Sequence, residues 1–112
     1  MLFGISSLHS QSDTPIYLNF NSHNEENSPP DPNYLDSTTY FTYREFVRQL
    51  ADTITSKGAK WNFQSDWKFL LACIRYDRGI PSTNGKNLIK WMLQDKGIEI
   101  DPHSHHNSGG NQ

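Results

Sequence analysis

Gly97-Ile98-Glu99-Ile100-Asp101-Pro102-His103-Ser104-His105-His106 decides how the rest of the chain is read. A glycine breaks the preceding element, two isoleucines alternate with acids, and an acid and three histidines then fall within six residues. Alternation of this kind marks a short half-buried strand, in which side chains two apart share a face. Asp101, His103 and His105 therefore lie on one side if the extended backbone continues, as an Asp-x-His-x-His edge of ligand-type side chains. Imidazole nitrogen with carboxylate oxygen suits zinc first, with manganese, iron or nickel as alternatives. Three protein donors plus a water would leave the open position that hydrolysis needs.

Working back from Gly97, residues Leu88, Trp91 and Met92 recur at helical spacing over about Asn87 to Lys96. Ahead of them, Ser65 and Asp66 offer an N-cap to a helix carrying Trp67, Leu70, Leu71 and Ile74, which Gly79 and Pro81 end. Ala59 to Gln64 reads as a strand. Tyr43, Phe46, Val47, Leu50, Ala51 and Ile54 predict a further helix, with Thr42 and Glu45 as a capping box and Gly58 as its stop. The run from Ser28 to Thr39 holds Pro29, Pro30, Pro32, Asn33 and Asp36, a composition that predicts an exposed loop. Pro15 to Phe20 predicts the first strand, ending in the polar stretch Asn21 to Asn27. The order βα, βα, α, β predicts an α/β fold of parallel βα units joined by right-handed crossovers. Such folds collect ligands at the carboxyl ends of their strands, and both polar clusters fall there. His23 and His103, eighty residues apart, can then converge on one site.

The chain of 112 residues suffices for one modest core, and its 34% apolar content lies below the roughly 45% typical of compact domains. Ten basic against 12 acidic residues leave no broad basic surface, so no nucleic-acid partner is expected. No stretch approaches ~18 apolar residues, so no membrane insertion is expected, and Met1 to Asp13 lacks the basic start and apolar core of an export signal. Cys73 is the one cysteine and sits in an apolar helical run, where a buried inert thiol is expected.

Three stretches resemble the polysaccharide deacetylase family of metal-dependent carbohydrate esterases. Tyr17-Leu18-Asn19-Phe20-Asn21-Ser22 is similar to that family's first-strand motif, an apolar residue followed by Thr-Phe-Asp-Asp. Ala59-Lys60-Trp61-Asn62-Phe63 is similar to its second strand, and Lys96 to Ser104 matches the Gly-x-Glu-Ile-x-x-His-Ser part of its histidine motif. The resemblance implies residues 14–107 as a partial (β/α) barrel, truncated before its later strands, with flexible segments at 1–13 and 108–112. It also implies removal of acyl groups from carbohydrate, a divalent metal with zinc foremost, and a parent protein working at the cell surface or periplasm. The family's two first-strand aspartates fall on Asn21 and Ser22, and its second histidine falls on Asn107. The ligand set must therefore differ, with His23, His103 and His105 as metal ligands, Glu25 and Asp101 as catalytic carboxylates, and Trp61, Asp66 and Trp67 on the substrate side.

Two other readings stand beside this one. Ile100 to His105 is also similar to the Asp-x-His-x-His strand that opens amidohydrolase and phosphoesterase barrels, although those place it on their first strand. The third reading is a non-enzymatic binding domain or fragment, in which His103 to Gln112 is a solvated tail, His23 and Glu25 are surface residues, and Trp61, Trp67 and Trp91 are core.

Overall fold

The computed structural model describes residues 14–24 and 33–103. Within them the chain runs β1 (Asn19–Asn24), α1 (Ser37–Ser56), β2 (Lys60–Asp66), α2 (Trp67–Tyr76), a 3₁₀ turn (Pro81–Thr83), α3 (Leu88–Asp95) and β3 (Glu99–His103). The three strands form one parallel sheet in the order β1-β2-β3, the α/β arrangement expected from strands separated by helices. The segments 1–13 and 108–112 expected to be flexible, together with His105 and Glu25, lie outside the described residues.

The helices share one core with one face of the sheet. Trp61 and Phe63 of β2 and Ile98 just before β3 pack with Tyr40, Val47, Ala51 and Ile54 of α1, Phe69, Ala72 and Cys73 of α2, and Leu88, Trp91 and Met92 of α3. Phe69 stands edge-on to both Tyr34 and Phe63, a geometry in which ring edges meet ring faces. Burial raises the pKa of the Cys73 thiol, which keeps it protonated.

β1 departs from its expected position. It begins at Asn19 rather than Pro15, because the ladder with β2 starts at the Asn19↔Lys60 pair and the Lys60 N–H donates to the Leu18 carbonyl just before it. Ile16 and Tyr17 precede this rung and are exposed. The polar run Asn21 to Asn24, expected as loop, is strand because β2 extends to Asp66 and supplies it with backbone partners.

α1 begins at Ser37, well before the expected capping box. Asp36 is the cap, its carboxylate accepting from the Thr39 N–H and hydroxyl, both at 2.9 Å. These bonds hold its pKa below the ordinary carboxylate value. Glu45 instead pairs with Arg48 one turn on, at 2.6 Å. The buried face of α1 is Tyr40, Arg44, Val47, Ala51 and Ile54, and Phe46 is left 63% exposed. Gly58, at φ +75°, turns the chain out of α1 toward β2.

The later elements match their expected positions closely. Asp66 caps α2, accepting from the Lys68 N–H at 2.6 Å, and Asn87 caps α3, accepting from the Lys90 N–H at 2.8 Å. Asn87→Ala is expected to cost about 1 kcal/mol. That loss would lower the thermal midpoint by roughly 5 °C in a dichroism melt. An unchanged midpoint would mean that solvent replaces the cap.

Between α2 and α3 the chain is anchored by a buried ion pair. Arg44 of α1 donates from Nε to Asp77 Oδ2 at 2.6 Å and from one terminal nitrogen to Thr83 Oγ1 at 2.9 Å. Asp77 also accepts from the Tyr40 hydroxyl, the Leu88 N–H and the Gly79 N–H, at 2.9, 2.9 and 3.0 Å. The network ties α1 to the start of α3 across the whole connecting loop.

Candidate functional site at the open face of the sheet

Alternation along each strand sends one set of side chains into the helical core and the other to the opposite face. With Trp61 and Phe63 buried, the register places Asn19, Asn21 and His23 of β1, Lys60, Asn62, Gln64 and Asp66 of β2, and Glu99, Asp101 and His103 of β3 on that second face. Every one of these is polar. β2 is thus amphipathic across the sheet, with its aromatic residues on the side that the helices cover.

Two rows cross this face near the carboxyl ends of the strands. His23, Gln64 and Asp101 are register partners in one, and Asp66 and His103 are partners in the next. His23 and His103 belong to strands on opposite sides of β2, yet their ring centroids are 4.2 Å apart, with planes inclined at 35°. Neighbouring parallel strands lie about 4.8 Å apart, so both rings lean toward each other across β2. Asp101 is held in place by Asn62, whose Nδ2 donates to Oδ2 at 2.8 Å.

The residues expected at the site divide into three groups. His23, His103 and Asp101 share the open face. Trp61 is in the core at 3% exposure, with its indole N–H donated to Ser22 Oγ at 2.8 Å, so its ring packs away from the open face. Asp66 spends one carboxylate oxygen on capping α2, and Trp67, 41% exposed, is the first residue of that helix. Glu25 and His105 lie outside the described residues. Among the described residues no three His, Cys, Asp or Glu side chains are grouped to hold a metal ion, so the histidine pair supplies two donors and no third.

Sequence reasoning passed over Asn62, Gln64 and Glu99. The signal was present in the strict alternation Trp61-Asn62-Phe63-Gln64-Ser65-Asp66, which puts three polar side chains on the face opposite two aromatic ones. No helix among the described residues is long and apolar enough to cross a membrane.

Comparison with family models, curated proteins and solved structures gives no match. Function then has to be derived from side-chain chemistry, since an α/β sheet hosts many activities.

Proposed function

We propose that the carboxyl end of the sheet is part of a divalent-cation site in a metal-dependent hydrolase of the polysaccharide deacetylase-like kind, with His23 and His103 as imidazole ligands. The observation that carries this reading is the 4.2 Å approach of two histidine rings from strands eighty residues apart in sequence. The donors fit the group: two imidazole nitrogens favour zinc over harder cations. His105 and Glu25 are the residues of this chain offered as further ligand and proton acceptor. A cation bound there would polarise an acyl carbonyl and lower the pKa of the attacking water.

The rest of the chemistry belongs to the protein. Asn62 fixes Asp101 through Oδ2, leaving Oδ1 to orient the attacking water whose proton passes to Glu25. The amides of Asn21 and Gln64 provide donors and acceptors on a polar face suited to a hydroxyl-rich acylated carbohydrate. In the family's barrel this face would be the interior wall.

The test is zinc titration by calorimetry on the chain and on a His23→Ala, His103→Ala variant. One zinc per chain with affinity tighter than about 1 μM, weakened roughly a hundredfold in the variant, is the expected result. Equal affinity for both proteins would discard the histidine pair as ligands.

A further inference from the structure

Behind the open face, on the side of the sheet that the helices cover, a groove of about 430 Å³ lies between α2, α3 and β3. Its walls are Leu70 and Ile74 of α2, Ile89 and Leu93 of α3, and Ile100 and Pro102 of β3. Ile89 and Ile100 pack against the core and are fixed by it, whereas Ile74 and Leu93 are 68% and 48% exposed. The volume falls within the roughly 300–1,000 Å³ of small-molecule sites, and hydrocarbon displaces water from such walls favourably. The polar side chains of the lining are Asn87 and Lys90, both at the start of α3, and none of the described residues lining the groove is acidic. Asn87 Oδ1 accepts from the Lys90 N–H, which leaves Nδ2 as a donor. Among the described residues the Lys90 ammonium is in no ion pair.

Apolar walls with a positive charge and a neutral donor at the helix start suit an amphiphile with an anionic head. We propose that the groove binds a free fatty acid, with its alkyl chain against the isoleucine and leucine side chains and its carboxylate at Lys90 and Asn87. The carboxylate takes a charge-assisted bond from the ammonium, and the positive end of α3 adds to the attraction. A cationic amphiphile would instead meet Lys90 with like charge. A further β-strand is disfavoured at this edge, because a proline in a paired strand turns its missing N–H away from the ladder. The outer edge of β3 therefore lacks a donor at Pro102, and a hydrocarbon chain needs none. The site lies across the sheet from His23 and His103 and goes beyond the cation reading.

The experiment follows methyl and amide resonances of the isotopically labelled chain during titration with sodium decanoate, sodium octanoate and decylammonium chloride, each below its micelle concentration. Saturable shifts at the Ile89, Leu93 and Ile100 methyl groups are expected with decanoate, and octanoate, two methylenes shorter, should bind roughly tenfold more weakly. Decylammonium should bind more weakly than decanoate. Lys90→Glu places a carboxylate in the first turn of α3, which suits the helix, and should reverse the order of decanoate and decylammonium. Ile74→Gln, at an exposed position, should weaken both about fivefold. His23→Ala with His103→Ala should leave decanoate binding unchanged, which separates this site from the cation site whatever zinc does. Equal binding of the two head groups by the native chain, no reversal in Lys90→Glu, or octanoate as tight as decanoate would overturn the proposal. So would shifts with phosphatidylglycerol vesicles but not with decanoate, which would assign the groove to a membrane surface, or a dimer in sedimentation that Ile74→Gln dissociates, which would assign it to a second copy.

Discussion

Asp77→Ala is expected to remove roughly 3–5 kcal/mol of stability, because it leaves the Arg44 guanidinium buried without its counter-charge. Both side chains are 1% exposed, so solvent cannot take over the lost contacts. The same substitution strips acceptors from the Tyr40 hydroxyl and from the Leu88 and Gly79 N–H groups. A domain of this size has about 5–15 kcal/mol in total, so the variant should be largely unfolded at moderate temperature. Urea unfolding of wild type and variant measures the difference, and a loss under about 1 kcal/mol would mean that the pair is not closed in solution.

The pH dependence follows from the same contacts. Burial alone would raise the pKa of Asp77, but Arg44, the Leu88 and Gly79 N–H groups and Tyr40 outweigh it and bring it below the ordinary carboxylate value. The folded state therefore prefers the charged form. Its contribution is fully present above the ordinary carboxylate range and is lost as the pH falls through the lowered folded value. Asp77→Asn should flatten the acid limb of the stability profile.

Gly79→Ala is the second large effect. Gly79 has φ +91°, and a Cβ there would stand 2.1 Å from the Gly85 carbonyl oxygen, 2.4 Å from its carbon and 2.8 Å from the Lys86 nitrogen. All three are backbone atoms, so no rotamer change makes room. The loop would have to open, pulling Asp77 away from Leu88, and a cost above roughly 3 kcal/mol is expected. Gly58→Ala and Gly97→Ala are the controls: both have positive φ with open space around the added carbon. Each should cost only about 1–2 kcal/mol for the left-handed backbone. Similar thermal shifts for all three variants would show that crowding against Gly85 does not operate.

The elements after residue 58 were legible because local signals agree: Asp66 and Asn87 are caps in the sequence and in the fold, and glycine stops coincide with turns. The first part of the chain was misread where tertiary partners decide. Asn21 to Asn24 has no strand composition, yet β2 pairs with all of it. Phe46 and Leu50 fit an apolar stripe by spacing, but the helix turns Tyr40 and Arg44 inward instead. Charge is not expected on a core face, and Arg44 is there only because Asp77 and Thr83 arrive from 33 and 39 residues away. The meeting of His23 with His103 was foreseeable from parallel strand ends, whereas the tryptophan on the substrate side was not separable from core without knowing which face of β2 the helices cover.

β1 has no fully buried residue, and among the described residues its neighbour in the sheet is β2. It is therefore an edge strand that can leave the sheet without taking a core residue with it, and His23 rides on it. When β1 undocks the two imidazoles part, so a ligand that bridges them binds only the docked fraction of molecules. Its apparent affinity is the intrinsic one scaled by that fraction, and in return its binding holds β1 in the sheet.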